Sequence, residues 1–290
     1  MATVSTALRG QHKELSDVVK NLDVYKTPFQ SLIGSEKVTN TLFNWTEEQL
    51  ADAGENAWAE GAEGTAGVDN VLVERDNYVQ IFRKDVKLTG TAQGVKLAGN
   101  VQKMAHQVEL RSREMKRDIE KSYLSGTAKS ATGGKRKTAG FKAQIDASLV
   151  KDMAGVAITE DDLRVMLADL NVNGGTPNVI MTSPRGKVAL GKALEASRIR
   201  DIGDAQKAAA GVNTYLSDFG PLEIHSNIHC EDGDILVMDT ALWTESVFRP
   251  YKLETLAKTG DADARMLVVE KGLKCLHAKA AGAAFVNVKF

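Results

Sequence analysis

The sequence contains few cysteines and no long apolar run. Its two cysteines, Cys230 and Cys275, are too few for a disulfide framework, and their spacing is not that of a CxxC metal or redox motif. No stretch reaches the roughly 18 apolar residues of a membrane span, and residues 1–10 lack the apolar core of a signal peptide. We therefore expect a protein that folds in the cytoplasm and has no membrane partner.

The net charge is also close to zero. Lysine and arginine number 37, and aspartate and glutamate number 38, so the formal net charge is −1. A protein whose main task is to bind DNA or RNA needs a clear basic excess, which is absent here. The hydrophobic fraction of 43% and the charged fraction of 26% are those of ordinary globular proteins. The 290 residues are enough for one large domain or two modest ones.

Sequence motifs of catalysis and of metal or phosphate binding are missing. There is no HExxH, no GxSxG and no GxGxxG. The segment GGKRKT at 133–138 fails as a phosphate-binding loop, because Arg136 stands where that loop needs serine or threonine. His225, His229 and Cys230 have no second cluster at metal-ligand spacing, so strand and turn positions explain them better. We expect no catalytic residue, no cofactor and no metal.

One long amphipathic helix is expected over residues 100–125. Apolar residues recur there at spacings of three, four and seven, which places them on one stripe: Val101, Met104, Val108, Met115, Ile119 and Tyr123. At 1.5 Å per residue the helix would span roughly 39 Å, much longer than an average globular helix. Its opposite face is densely charged and includes Arg113 and Arg117.

The segment before this helix has the pattern of a long β-hairpin with an acidic tip. Residues 37–46 and 70–87 read as strands, with Phe43 and Trp45 on one face. Between them the chain is rich in glycine and alanine, and from Glu47 to Glu74 it has no lysine or arginine but eight acidic residues: Glu47, Glu48, Asp52, Glu55, Glu60, Glu63, Asp69 and Glu74. A two-stranded hairpin is marginally stable without a surface to lie on. The segment is therefore either a solvated acidic loop or an arm that lies on another subunit.

A basic segment follows the long helix. Residues 121–145 contain no acid and six positive charges: Lys121, Lys129, Lys135, Arg136, Lys137 and Lys142. The composition is typical of a solvated linker, and contact with nucleic acid or with an acidic neighbour is the alternative. From residue 158 onward, helix starts at Thr159 and Ser183 flank a short apolar strand, as in an α/β unit, and strands dominate from 213 to 288.

Taken in order, these parts resemble the tailed-bacteriophage major capsid proteins of the Hong Kong 97 type. The order and spacing of several short segments carry the resemblance: Thr27-Pro28-Phe29, Phe43-Asn44-Trp45 with Asp52, Asn56 and Glu60-Gly61, Lys116-Arg117-Asp118-Ile119-Glu120, Tyr215, Asp218-Phe219-Gly220, Asp239, Arg249 and Ala257-Lys258-Thr259-Gly260-Asp261. The resemblance implies an α+β fold with five parts: an N-terminal arm (1–36), an extended β-hairpin loop (37–98), a spine helix with a linker (99–149), an α/β axial domain (150–225) and the returning strands of a peripheral domain (226–290).

The same resemblance implies a structural subunit that assembles into the icosahedral head around the double-stranded DNA of a tailed phage. Its expected partners are further copies of itself in pentamers and hexamers, a separate scaffolding protein, a portal, optionally a decoration protein, and packaged DNA through weak non-specific contacts. In such shells the extended loop lies across a neighbouring subunit. The expected location is the virion, after assembly in the bacterial cytoplasm.

We therefore predict that the acidic hairpin of one subunit meets the basic helix and linker of another. The expected contact residues are Phe43, Trp45, Glu55, Trp58, Glu60, Glu63, Arg113, Arg117, Lys135, Arg136 and Lys137. Two other functions stay open. A nucleic-acid-contacting phage structural protein would use residues 135–142 and bind with strong salt dependence. An enzyme with an unrecognised site would be a compact monomer or small oligomer with a pocket of perturbed groups.

Overall fold

Two β-sheets and one long helix form the frame of the structure. The computed structural model describes residues 26–48, 50, 53–64, 72–95, 103–194, 214–258 and 260–290. The first half contains α1 (Pro28–Leu32), β1 (Gly34–Lys37), β2 (Leu42–Glu48), β3 (Leu72–Tyr78), β4 (Gln80–Thr89), α2 (Gly90–Gly94), α3 (Lys103–Leu124) and α4 (Phe141–Gln144). The second half contains β5 (Val150–Asp152), α5 (Glu160–Val172), β6 (Val179–Thr182), α6 (Pro184–Ala193), β7 (Thr214–Ser217), β8 (Gly220–Ser226), β9 (Ile235–Met238), β10 (Trp243–Thr255), β11 (Ala262–Cys275) and β12 (Gly282–Val286). The expected α+β class is confirmed.

The long helix expected from the apolar stripe is confirmed as α3, which has 22 residues. Met115, Ile119 and Tyr123 on that stripe are fully buried, and the helix packs on the sheet that contains β4 and β11. At 1.5 Å per residue α3 is about 33 Å long. Residues 100–102, where the sequence predicts the start of the helix, lie outside the described residues.

The four-stranded sheet has the order β1-β10-β11-β4. β1 is parallel to β10, and the pairs β10–β11 and β11–β4 are antiparallel. This topology corrects the strand expected over 70–87, because the chain is divided at the buried residue Val79. β3 pairs with β2, whereas β4 pairs with β11. The hairpin therefore consists of β2, β3 and the residues between them, rather than of all residues from 37 to 98.

The six-stranded sheet has the order β5-β12-β9-β6-β8-β7. A capping box of Thr159 and Asp162 begins α5, and Ser183 caps α6. The sequence assigned all residues after 225 to the peripheral strands, but β9 and β12 belong to this second sheet. Their residues are buried at almost every position, and continuous apolar runs of this kind favour central strands that are covered on both faces.

The basic segment after α3 is not a solvated linker throughout. Phe141, Ile145 and Leu149 are buried. Their spacing of four residues predicts a buried face, which a count of positive charges alone does not reveal. The preceding residues Thr138 and Ala139 are buried as well. The expectation of a solvated linker over 121–145 is therefore wrong for 138–145, because this part carries core side chains.

Four aromatic rings join the parts of the fold. Phe29 of α1 lies edge-on to the rings of Tyr123, Phe141 and Trp243 at centroid distances of 6.3, 6.3 and 6.2 Å. The rings of Phe141 and Trp243 are stacked at 4.5 Å, and Trp243 Nε1 donates to the carbonyl of Ala281 at 2.9 Å. The cluster thereby links α1, α3, the segment after α3 and the four-stranded sheet.

Gly140 provides a test of how closely the segment after α3 packs on the end of that helix. A Cβ at this position would lie 2.0 Å from the carbonyl oxygen of Ser125, so Gly140→Ala is expected to lower the free energy of unfolding by about 1–3 kcal/mol. Gly191→Ala is the matched control, because Gly191 lies inside α6 with nothing within 4 Å of its Cβ position. There alanine should raise the free energy of unfolding by about 0.5–1 kcal/mol. Denaturant unfolding measures both, and equal effects would contradict the tight packing.

Candidate subunit interface

The hairpin stem lies with one face on its own subunit. Its seven residue pairs run from Leu42↔Tyr78 to Glu48↔Leu72, which gives a stem of about 23 Å. Phe43 and Trp45 share the inner face, and their rings stack at 5.8 Å. Phe43 is only 7% exposed, and its ring occupies the space left by the missing side chain of Gly272. We expected Phe43 to contact a neighbouring subunit, but its ring is already packed within its own chain.

Asn77 fastens the base of the hairpin. Its side chain is fully buried and donates to Thr138 Oγ1 at 3.0 Å and to the carbonyl of Leu273 at 2.7 Å. Its Oδ1 accepts from the backbone N–H groups of Ala139 and Tyr78, both at 2.8 Å. A single amide thereby connects β3, β11 and the segment after α3.

A cleft beside Trp45 leaves part of the inner face accessible. Its volume is about 400 Å³, and it opens between β3 and residues of the 128–144 segment. The indole Nε1 of Trp45 is buried and has no hydrogen-bond partner among the groups that the structure describes. Lys274 Nζ lies 5.9 Å from the ring centroid. Among the described residues, Trp45 therefore has an unused donor at the middle of the hairpin stem.

Glu47 serves a different role from the other members of the acidic run. It is 9% exposed, and its carboxylate accepts from Arg75 Nε at 3.3 Å and from the backbone N–H of Ala278 at 3.1 Å. The bond from Arg75 lies within the stem, and the bond from Ala278 holds the stem to the subunit's own C-terminal region. The acidic charge available to a partner is therefore that of the tip.

All residues of the tip that the structure describes, 53–64, are exposed. Glu55, Glu60 and Glu63 form no ion pair with any described residue. Trp58 is 62% exposed, and its Nε1 donates to Asn56 Oδ1 at 2.5 Å. A large exposed aromatic ring beside three carboxylates that no described residue pairs, all on a projecting loop, is typical of a surface that binds a partner.

The expected basic contact residues fall into two groups. Arg136 is held by its own subunit, since Nε donates to the carbonyl of Val79 and Nη2 donates to Glu270 Oε2, both at 3.1 Å. Lys135 and Lys137 beside it are exposed. On α3, Arg113 donates to Glu109 at 2.5 Å, whereas Arg117 forms no ion pair with a described residue.

A buried carboxylate ties the start of the described chain to α3. Glu120 is fully buried and accepts from the backbone N–H groups of Phe29 at 2.7 Å and Gln30 at 3.1 Å. It also accepts from Gln30 Nε2 at 2.9 Å and from Asn227 Nδ2 at 2.7 Å. Burial raises the pKa of Glu120 above its ordinary value, and these four N–H donors act against that shift. The same carboxylate thus positions α1 and the loop after β8.

Lys121, the first residue of the basic segment, and His229, for which the sequence indicated no functional role, lie near Arg117. Asn227 bonds to Glu120, and its Oδ1 accepts the backbone N–H of His229 at 2.9 Å, which brings the imidazole to this turn of α3. Burial and the positive charges of Arg117 and Lys121 lower the pKa of His229, and Asp118 acts in the opposite direction. Only the fold could show this cluster, because His229 lies more than 100 positions from α3 in sequence.

The described ranges contain neither a metal site nor a membrane-spanning helix. Within them no group of three or more His, Cys, Asp or Glu side chains converges as a metal site. Cys230 and Cys275 are buried thiols, and burial raises the pKa of Cys275 to about 12. None of the helices in the described part of the chain is long and apolar enough to cross a membrane.

Comparison with known proteins gives consistent matches over the full length. A family model described as SU10 major capsid protein matches residues 2–289. The major capsid protein of Escherichia phage Phieco32 is 26% identical over 337 aligned residues, covering 97% of this chain and 96% of that protein. Among solved structures, the capsid asymmetric unit of Cyanophage A-1(L) has a TM-score of 0.75 at 10% identity, covering 99% of this chain and 98% of that chain. The holo-SrpI encapsulin complex from Synechococcus elongatus has a TM-score of 0.67 at 14% identity, covering 100% and 97%. The shared fold is that of Hong Kong 97-type capsid proteins.

Proposed function

The chain belongs to the SU10 major capsid protein family, and from this premise we propose how its copies hold one another in the shell. As a phage major capsid protein it forms the capsid shell. We propose that the hairpin tip of each subunit lies on a neighbouring subunit and contacts α3 and the turn at 130–137. The observation that carries this proposal is the exposure of Trp58 together with three glutamates, on one projecting loop, that form no ion pair with any described residue.

The aromatic ring supplies most of the free energy in this proposal. Burying the exposed part of an indole at about 25 cal/mol per Å² contributes about 2–4 kcal/mol per contact. Each solvent-exposed ion pair adds only about 0–1 kcal/mol. The charges of Glu55, Glu60 and Glu63 therefore serve mainly to orient the tip on a basic surface.

Contacts within the subunit exclude some of the residues that we expected at the interface. Phe43 and Arg136 are occupied within their own subunit. The proposed contacts on the hairpin are Trp45, at its cleft, and the tip residues Glu55, Trp58, Glu60 and Glu63. The proposed basic contacts are Arg113 and Arg117 on α3, and Lys135 and Lys137 in the turn.

Removal of the tip tests the proposal. Replacing residues 53–64 by a short glycine-serine turn is expected to leave the subunit folded, because no described tip residue is buried. The number of closed shells should fall by about tenfold or more, since each 1.4 kcal/mol of lost contact energy is a factor of ten. Electron microscopy and sedimentation measure the shells, and circular dichroism checks the fold. A deletion variant that assembles like the wild type would overturn the proposal.

We also propose how the two sheets are placed in the shell. The six-stranded sheet with α5 and α6 is assigned to the axial domain near the symmetry axes, and the four-stranded sheet with α3 to the peripheral domain. Family membership supports the remaining expectations: pentamers and hexamers around double-stranded DNA, a separate scaffolding protein, a portal, optionally a decoration protein, and assembly in the host cytoplasm. Co-expression with the scaffolding protein, followed by electron microscopy of the particles, tests them together.

A further inference from the structure

The outer half of β10 is an edge of the four-stranded sheet that no described strand covers. Among the described strands, β1 pairs with β10 only from Thr244 to Val247, whereas β11 follows the other side of β10 as far as Thr255. Residues 249–253 and 255 of β10 are exposed, and none of the residues opposite β1 is. The open side of such a strand presents backbone groups to which another strand can pair.

A hydrogen bond just beyond β10 shows which backbone groups point to this edge. The N–H of Leu256 donates to the carbonyl of Ala264 in β11 at 2.9 Å. In an antiparallel pair of strands, residues that exchange such bonds alternate with residues that do not. Glu254, two residues earlier in the same register, therefore bonds to β11. Leu253 and Thr255 direct their N–H and C=O groups to the open edge.

The regular part of the open edge is short. The register of β10 on β11 shifts around Pro250, which has no N–H group to donate. The edge available for pairing thus runs from Tyr251 to Thr255. Leu253 is 43% exposed and Tyr251 is 38% exposed, so apolar side chains lie beside these backbone groups. Addition of one further strand would cover both.

The charges on this edge match those of a second copy of the same edge. Lys252 Nζ lies 3.0 Å from Glu254 Oε1, which places both side chains on one face of β10. If two copies pair antiparallel about a two-fold axis at Leu253, Lys252 of each copy lies opposite Glu254 of the other. An axis at Lys252 or at Glu254 would instead place like charges directly opposite each other, which is destabilising. The charges therefore select one register.

We propose that the outer half of β10 pairs with the same segment of a second copy of this chain, antiparallel and with Leu253 opposite its own equivalent. The two sheets then continue across the contact, with β4, β11 and β10 of one copy followed by β10, β11 and β4 of the other. Leu253 exchanges two backbone hydrogen bonds with its equivalent, since its N–H and C=O both point to the edge. This contact does not involve the hairpin tip, so it goes beyond the function proposed above.

Disulfide trapping in assembled shells tests the register. Leu253→Cys should form disulfide-linked dimers under a mild oxidant such as diamide, because directly opposite residues have Cα atoms about 5.5 Å apart, within the reach of a disulfide. Thr255→Cys is the matched control, since Thr255 lies on the same edge but about 14 Å from its own equivalent in this register. The native thiols Cys230 and Cys275 are buried. On non-reducing gels Leu253→Cys should give about tenfold more dimer than the control.

A second pair of cysteines tests the other face of the same contact. Subunits with Lys252→Cys should cross-link to subunits with Glu254→Cys when the two are assembled together, because these positions lie opposite each other across the axis. Neither variant should cross-link when it is assembled alone. This pair decides the question if Leu253→Cys does not form shells.

Charge exchange tests the ionic match in shells that carry Leu253→Cys. Adding Lys252→Glu places glutamate opposite glutamate and should reduce the dimer several-fold. Adding both Lys252→Glu and Glu254→Lys restores opposite charges and should return the dimer to its original amount. An equal amount of dimer in all three would show that the two charges do not meet across the contact.

Two results would overturn the pairing itself. If Leu253→Cys gives no more dimer than Thr255→Cys, and the mixed shells of Lys252→Cys and Glu254→Cys give none, the edges do not meet in this register. If amide exchange of Leu253 nevertheless slows on assembly, a different strand covers the edge, and the second copy of β10 is again the wrong partner.

Discussion

Phe29→Ala is expected to lower the free energy of unfolding by about 3–5 kcal/mol, the range for truncating a buried aromatic residue. Phe29 is fully buried and touches the rings of Tyr123, Phe141 and Trp243. The cavity would lie where three parts of the chain meet, so neighbouring side chains have little freedom to fill it. Backbone N–H bonds to Glu120 hold α1 in place beside the ring. Denaturant unfolding of the unassembled protein measures the loss.

Phe219→Ala is the matched control for this variant. Phe219 is 46% exposed in the turn between β7 and β8, so the same truncation there should change the free energy of unfolding by less than about 1 kcal/mol. Similar losses for Phe29→Ala and Phe219→Ala would show that the aromatic cluster does not anchor α1.

Asn77→Leu is expected to be the second most damaging substitution, with a loss of about 2–5 kcal/mol. Leucine has a similar size but neither donates nor accepts, so the backbone N–H groups of Ala139 and Tyr78 lose their acceptor. The carbonyl of Leu273 loses one of its two donors and keeps Gln144. Because Asn77 fastens the hairpin base, amide exchange in β3 should also accelerate.

Asn44→Leu distinguishes this effect from a general loss of polarity in the hairpin. Asn44 lies on the outer face of β2, where its amide bonds to Glu74 at 2.5 Å in an exposed position. Its replacement should cost less than about 1 kcal/mol. If both asparagine variants unfold at the same denaturant concentration, Asn77 is not the fastening point of the hairpin.

Periodicity predicted the elements that bury one continuous face. The apolar stripe of α3 recurs at helical spacing, so both the helix and its buried residues Met115, Ile119 and Tyr123 could be derived from the sequence. The acidic run of the hairpin identified a loop whose tip residues Glu55, Glu60 and Glu63 form no ion pair with the residues that the structure describes. The order of these parts led to the family, and the match over residues 2–289 confirms it.

The division of the strands could not be derived in the same way. The sequence reads as one strand through Val79, yet β3 and β4 on its two sides pair with different partners. An alternating pattern predicts which side chains are buried, but it does not predict which strands pair with each other. For the same reason the segment from Ile235 to Met238 is recognisable as a buried strand, while its place beside β12 and β6 is not.

By itself, the sequence determined the long helix, the hairpin with its acidic tip, the α/β unit and the family, because each depends on residues close together in the chain or on their order. Only the tertiary structure decided which charges remain available to a neighbour. Arg136 is paired with Glu270 across 134 positions, whereas Arg117 and Lys121 form no ion pair with any residue that the structure describes. Whether a charge is buried or paired depends on contacts between distant segments, and these contacts form only when the chain folds.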